Sequence, residues 1–548
     1  MLIVFGRLGQ SFPDSPLDAA WLFLALIAVG ITLYLLSSII YNLYLHPLAH
    51  IPGPRLAATS QLPWLIALWR GRLHLQLLAW HERYGTIVRT GPNELSVTDP
   101  QAWKDIYGIK QSKVFKKDRF AVATPVAGAK GLVAADGDDH ARQRRLMSHA
   151  FSERAMRQQE ELVSVHAQNA REKLLALTCA PPTASGEADT SNPGSALLNI
   201  VELFSHYTFD VLTDLAFGES SNCLRDPAQH HFVTLTGDSA MQQILMNLSR
   251  RLWIVRLFVP RFISPRALAR KRMVFMTQAN ATLDRRLAKE KSEGQSGSTV
   301  EKGTGTGTAM QRPDLVGHIL SHQSDTLRMS PGELRANTFS FITAGSESTA
   351  SALTAITHYL AVFPQWQEKV YAEIVGALER DPRADTVVVG KLKYTQAFIT
   401  ECLRIHPPIP SPLIREAQVD AVVCGQVVPR ETFISTSIYA AHHSARNFHC
   451  PQSFAPERWL SSDDEEACLE FANDNQDAFQ PFSTGTRNCI AKNLAMMEIR
   501  LLLMTMIPVF RFELPCLESD GRGPWEPERA KTFLMWKRPE VWVRVARR

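Results

Sequence analysis

The sequence predicts a mostly α-helical protein with a minor β part, an α+β chain preceded by one membrane-spanning helix. Three observations predict it. Long stretches carry apolar residues at helical spacing, among them LVSVHAQNAREKLLAL, PGELRANTFSFITAGSESTASALTAITHYLAVF and NLAMMEIRLLLMTMIPVF. Strand-type alternation is confined to short pieces such as TIVRTGPNELSVT and AVVCGQVVP. One run near the N-terminus, Ala19 to Leu45, holds no charged residue and is longer than the roughly 20 apolar residues that cross a bilayer.

Taken in order, residues 1–18 are expected to be lumenal and residues 19–45 to form the anchor, with Trp21 near one interface and Tyr41 and Tyr44 near the other. A cleaved signal peptide would have a shorter apolar core and a small-residue cleavage site, and neither is evident. Arg7 precedes the span, whereas Arg55, Arg70 and Arg72 follow it, which places the bulk of the chain in the cytosol. Pro47, Pro52 and Pro54 then stop helix continuation, so residues 46–55 read as a proline-rich linker and residues 56–548 as the globular part. Two polar, small-residue stretches, Pro181 to Ser195 and Lys291 to Met310, read as solvated surface loops.

The chain has 548 residues, 45% of them hydrophobic and 21% charged, as in globular proteins. Length alone suggests two to four domains. A net charge of +5 with no dense basic block argues against nucleic-acid binding. None of the eight cysteines forms a C-x-x-C pair, which argues against a zinc knuckle or a thioredoxin-type site and for a reduced, cytosol-facing chain.

Four short stretches carry candidate chemistry. In FQPFSTGTRNCIAKN, Cys489 follows Phe482, Gly485 and Arg487 and precedes an apolar, helix-like run. A thiolate persists at neutral pH only beside a positive charge or a metal. Arg487 supplies charge, and the next helix aims its positive end toward Cys489. An inert buried cysteine and an activated nucleophile are the other readings. In TECLR, Glu401 and Arg404 share a helix face. An exposed pair of that kind contributes little, unless Arg458 of FAPERWL joins the same carboxylate in a buried network. In AGSEST, Glu347 and Ser348 interrupt an apolar helix that Gly345 weakens, as an acid and an alcohol that relay protons or as a merely exposed turn. In DDHARQRR, His140 and Arg144 lie four apart, as an anion clasp or a solvated basic face.

Together these stretches resemble the cytochrome P-450 superfamily of haem-thiolate monooxygenases. The match is F-x-x-G-x-R-x-C at Phe482 to Cys489, E-x-x-R at Glu401 to Arg404, P-E-R at Pro456 to Arg458 and A-G-x-E at Ala344 to Glu347, in that family's order. It runs from about Pro47 to the C-terminus and implies one large catalytic unit with the cytochrome P-450 fold. YNLYLHPLAHIPGPRLA, VRTGPNELS, DGDDHARQRRLMSHAFSERAM and FDVLTDLAFGES look like fungal, microsomal members of secondary metabolism, resembling the isotrichodermin C-15 hydroxylase kind.

The resemblance implies Cys489 as axial thiolate ligand of the iron of haem b, in a loop shaped by Phe482 and Gly485. It implies Arg487, Arg144, His140 and Arg415 around the haem propionates, Glu401, Arg404 and Arg458 as structural support, and Glu347 and Ser348 as the proton-delivering pair. It also implies O2, NADPH-derived electrons delivered by NADPH–cytochrome P-450 reductase, and a lipophilic substrate of terpenoid or polyketide type. A single-pass endoplasmic reticulum membrane protein with a cytosolic catalytic domain is expected. Two positions depart from the pattern: serine replaces threonine at Ser348, where Thr349 could share the task, and alanine replaces glycine at Ala491. The apolar pieces AVATPVAGAKGLV and NTFSFITA are expected to face the substrate.

Overall fold

Ser15 and Pro16 open the first helix. The serine side chain accepts the Asp18 amide, and proline takes the first helical position, where an amide has no partner to lose. Helix α1, Pro16–Ile40, runs on as a π-helical turn over Tyr41–Leu45. It therefore begins three residues before Ala19, inside the segment expected to be lumenal, because a cap rather than hydropathy sets its start. None of α1 is buried. Among the described residues, Pro16–Leu45 is the one helix long and apolar enough to cross a membrane. A computed structural model describes residues 15–548 apart from 119–127, 180–193, 227–228, 230–232, 234–265, 297–313, 325–326, 462, 465–467, 517–522 and 538–539. Arg7, most of the Pro181 to Ser195 loop and residues 121–127 of the first substrate-facing piece lie outside the described residues.

The other helices of eight or more residues are α2 (Leu62–Trp69), α3 (Leu73–Tyr84), α4 (Gly137–Ser148), α5 (Glu153–Cys179), α6 (Ile200–Phe217), α7 (Arg266–Ser296), α8 (Pro331–Val362), α9 (Pro364–Arg380), α10 (Lys393–Ile405) and α11 (Lys492–Met506). The expected long helix at Pro331 to Phe363 is α8. Ser330 caps it in a reciprocal box with Glu333, Pro331 takes its first position, and Pro364 starts the next helix. The region from Lys291 departs from expectation: α7 continues through Ser296, and residues 297–310 lie outside the described residues. Adding one residue to an existing helix costs far less than starting one, so a polar sequence alone does not end it.

The strands are β1 (Ile87–Gly91), β2 (Glu94–Val97), β3 (Phe115–Lys117), β4 (Ser195–Asn199), β5 (Arg415–Ala417), β6 (Ala421–Val423), β7 (Gln426–Val428), β8 (Phe433–Thr436), β9 (Phe510–Glu513), β10 (Thr532–Phe533), β11 (Met535–Trp536) and β12 (Trp542–Arg547). Both expected strand stretches form antiparallel hairpins, β1–β2 and β6–β7. A five-stranded sheet has the order β1-β2-β8-β5-β3, with β2 and β8 parallel. In a second sheet the last strand, β12, lies between β4 and β9.

Helix α8 is buried along most of its length and packs on α6. Two apolar clusters meet beside it. One gathers α5, α6, α8, α10 and α11; the other gathers α4, α6, α8 and α7. Phe341 on α8 and Ile490, next to Cys489, are half-buried at the edge of both. The site lies at this seam.

Candidate functional site

The Cys489 loop is fastened by its own backbone. The Cys489 amide donates to the Phe482 carbonyl at 2.9 Å, and Thr484 Oγ1 donates to the Trp103 carbonyl at 3.3 Å. Gly485 has φ +71°, and a Cβ there would sit 1.8 Å from the Tyr107 carbonyl oxygen. The close approach that demands glycine is therefore to Tyr107, more than 370 residues earlier, rather than to a bound group. Phe482 is half-buried, with Lys492 Nζ 5.7 Å from its ring centre.

Cys489 itself is exposed, yet burial is the leading influence on its thiol and pushes its pKa up; the Ala491 amide and the charges of Arg144 and Lys492 pull it down. Lys117 behaves the same way. It is half-exposed, its ammonium donates to the Val133 carbonyl, and burial, followed by Arg415 and Arg487, lowers its pKa to about 7.

Lys117 belongs to a ring of cations. His140 and Arg144 sit on α4, at the fourth and eighth residues of its Gly137–Ser148 span, as their spacing predicts. Burial, then Arg487, Arg144 and Lys117, lower the pKa of His140 to about 4, so its imidazole is neutral. Arg415 is buried on β5, 5.0 Å from the centre of the Tyr107 ring, and burial and Arg487 depress it. Arg487 spans the Ala135 carbonyl at 3.0 Å and the Asp136 carboxylate. Arg144 holds the Asn488 carbonyl at 2.9 Å and the Asn488 side chain, next to the thiol. The field of Asp136 reaches His140, Arg415, Arg487 and Lys117, and that of Asp118 reaches Lys117. The ring has three permanent cations in Arg144, Arg415 and Arg487, besides Lys117 and His140, so positive charge exceeds negative and calls for a further anion.

Across the seam, α8 has Phe341, Ala344 and Ser348 at half-buried or exposed positions. Ser348 Oγ donates to the Ala344 carbonyl at 2.7 Å. Thr349 and Glu347 are buried on other faces. Glu347 lines a cavity of about 30 Å³ together with Ser205, Ser351, Thr354, His406 and Trp525. The helix is continuous through Gly345. That glycine serves packing: a Cβ would meet Leu212 Cδ1 of α6 at 2.6 Å, and Thr208 Oγ1 reaches across to the Ser346 carbonyl at 3.0 Å.

The E-x-x-R pair is fully buried. Arg404 donates Nε to Glu401 Oε2 at 2.8 Å and Nη2 to Oε1 at 2.7 Å. Arg458 Nε adds a bond to Oε1 at 3.2 Å, and the Ala455 amide and Trp459 Nε1 add bonds at 2.9 Å each. Arg458 also binds Asp474 in a second buried ion pair. Sequence reasoning missed Asp474, Lys117 and Asn488. Their roles arise where distant segments converge, and no local spacing announces them.

A thiol within the field of Arg144, beside a ring whose cations outnumber its carboxylates, suits an anionic group carrying a metal that takes one soft ligand. The sequence profile of the family Cytochrome P-450 matches residues 52–538. The chain is 34% identical to the cytochrome P-450 monooxygenase astA of Talaromyces wortmannii, over 95% of this chain and 96% of that one. It is 32% identical to the averantin hydroxylase of Dothistroma septosporum, over 94% and 90% of the two chains. It is also 32% identical to the versicolorin B desaturase stcL of Emericella nidulans, over 95% and 98%.

Proposed function

Because the chain belongs to the cytochrome P-450 family, and so is a haem monooxygenase of fungal secondary-metabolism type, we propose that it oxidises a lipophilic polyketide or terpenoid at a site built on Cys489. Haem b, when bound by a cysteine thiolate, supplies the activation of O2, the thiolate's electron density favouring cleavage of the O–O bond. The observation that carries the assignment is the Cys489 thiol held beside the ring of cations, within the field of Arg144. Cys489 would supply the sulfur ligand. Burial raises the pKa of the free thiol, so metal ligation there would release a proton. Arg144, Arg415, Arg487 and Lys117 would balance the negative charge of the two propionates, and His140 would donate a hydrogen bond from its neutral ring.

Ser348 holds its hydroxyl on the open face of α8, where turning Oγ–H away from the Ala344 carbonyl frees it to donate a proton. Glu347 is the acid one residue away, on a face with a small cavity whose volume exceeds what one water molecule requires. Phe341 and Ala344 form an apolar wall against which a lipophilic substrate excludes water. Two relatives are named for oxidations, the hydroxylation of averantin and the desaturation of versicolorin B. Either outcome suits a site that sets which C–H bond lies nearest the reacting centre.

Electrons come from NADPH through the membrane-bound reductase. The exposed apolar surface of α1 supports a single-pass anchor in the endoplasmic reticulum, followed by a linker over residues 46–55 and a cytosolic catalytic domain over residues 56–548. Exposed Leu62, Ile66 and Trp69, spaced along one side of α2, supply a second contact with the same membrane.

The test is spectroscopic and catalytic. Reduced enzyme with carbon monoxide is expected to show the red-shifted Soret band of thiolate ligation. Cys489→Ala abolishes that band, and the wild type turns over NADPH into product only with reductase present. A band that survives Cys489→Ala, or that follows another cysteine, overturns the assignment.

A further inference from the structure

His449, Cys450 and Glu470 bring their side chains together on an exposed face outside the Cys489 loop. One ligand-type atom from each, an imidazole nitrogen, a thiol sulfur and a carboxylate oxygen, lies within 4.8 Å of the other two. His449 Nε2 is 2.9 Å from Glu470 Oε1. A second thiol, that of Cys468, points at the other oxygen of the same carboxylate, 3.9 Å from Glu470 Oε2. Both cysteines are free. We propose that His449, Cys450, Cys468 and Glu470 bind one zinc ion.

The donor set selects the metal. Two thiolates and an imidazole are soft to borderline ligands that suit zinc, whereas calcium and magnesium take oxygen. Tetrahedral zinc, with bonds of about 2.0–2.3 Å, spaces its ligand atoms about 3.5 Å apart. The three mutually close donors need to move by at most about 1.3 Å to reach that spacing, and Cys468, which lies outside that group, must swing in from its contact with Glu470 Oε2. The ion replaces the direct contact between His449 and Glu470 and also relieves two neighbouring thiols of their protons.

The backbone beneath is already fixed. The His449 amide donates to Asp474 Oδ1 at 2.6 Å, and its carbonyl accepts from Arg458 Nη1 and Nη2 at 3.3 Å each. Cys468 caps the short turn Leu469–Phe471, its carbonyl accepting the Phe471 amide at 3.1 Å. One side of the cluster is thus tied to the buried Arg458 network and the other to that turn. Four protein ligands leave no open position, so the site is structural rather than catalytic. Its role is to close the segment from Cys450 to Glu470 over the carboxylates that hold Arg458.

The experiment uses the full-length, haem-loaded protein, kept reduced, with free zinc set by a chelator buffer. Metal analysis is expected to give one zinc per haem iron. X-ray absorption at the zinc edge is expected to show sulfur at about 2.3 Å. Zinc raises the melting temperature and a chelator reverses the rise. His449→Gln, and separately Cys450→Ser with Cys468→Ser, weaken zinc binding at least about tenfold while the haem spectrum stays as in the wild type. Wild-type protein with substoichiometric zinc, or a zinc edge without sulfur, overturns the proposal, and neither measurement depends on a variant folding. So do unchanged zinc affinity in the double serine variant and a disulfide between Cys450 and Cys468 in freshly isolated protein.

Discussion

Ser348 and Thr349 are adjacent hydroxyls that the helix turns about 100° apart, so they face different surroundings. Ser348 lies on the open face with Ala344, whereas Thr349 is buried. Ser348→Ala is therefore expected to keep haem and NADPH consumption while lowering product formed per NADPH oxidised, with the balance appearing as hydrogen peroxide or water. Ser348→Thr retains coupling, and Thr349→Val alone leaves it unchanged. If Thr349→Val uncouples instead, the assignment of the two hydroxyls is reversed. A second residue-scale prediction concerns the two motif glycines. Gly345→Ala pushes against the flexible tip of Leu212, an overpacking that costs about 1–3 kcal/mol. Gly485→Ala meets a backbone carbonyl at 1.8 Å in a left-handed conformation, and nothing there can yield. Haem content measured after expression is expected to fall modestly for the first and to be lost for the second. The motif shows that glycine is required at both places, but not that the reasons are Leu212 and Tyr107, since both neighbours come from far along the chain.

Helix α10 is tied to the segment around residues 451–464 by the network of Glu401, Arg404 and Arg458, together with Phe398 against Phe454 and the Lys393–Asp464 pair. Glu401→Ala leaves two arginines facing one remaining carboxylate in a dry interior. Removing one partner from a buried ion pair costs about 3–5 kcal/mol, a large share of the roughly 5–15 kcal/mol that stabilises a typical protein. Loss of haem incorporation is expected, together with a melting temperature lower by several degrees. A variant with wild-type haem content would show that the network contributes little. Helix α1 makes the complementary case: none of Pro16–Ile40 is buried, and Arg89 Nη1 reaches the Asn42 carbonyl at 2.7 Å only where the span ends. Deleting residues through Leu45 is expected to move protein from the membrane to the soluble fraction in part only, because Leu62, Ile66 and Trp69 on α2 remain exposed. Complete release would remove α2 from the membrane contact. Element boundaries were legible wherever a cap or proline marks them, as at Ser330, Pro331 and Pro364. They were not legible at Ser296, where α7 outruns a polar sequence that carries no stop signal apart from Gly294.

At the scale of the whole molecule, buried histidines set the response to acid. Burial lowers the pKa values of His74, His81 and His358 to about 4 and those of His406 and His442 to about 3. In the unfolded chain the value is about 6.5. Between these limits the unfolded chain takes up protons that the folded one refuses, so stability falls as pH drops from 6.5 toward 4. The slope is about 1.4 kcal/mol per pH unit for each histidine that stays neutral. Melting temperature is therefore expected to decline steeply below pH 6. A flat profile down to pH 4.5 would mean that these side chains open to water. Cys489, the His140–Arg144 pair on α4 and the Glu347–Ser348 pair on α8 could be singled out from the sequence because each lies within one short stretch. Lys117, on a three-residue strand, could not, since its meaning comes from Arg415 and Arg487, about 300 and 370 residues away. That separation also has a bearing on biosynthesis. Lys117, His140 and Arg144 leave the ribosome early, Gly485 and Cys489 late, and β12, which joins β4 to β9, is the last strand made. At about 5–20 residues per second, the two halves of the site are born tens of seconds apart. Closing loops of that length is the slow, entropy-limited part of folding. A chain stopped just before Trp542 would carry every residue named at the site but lack the strand that joins β4 to β9, and is expected to emerge without colour.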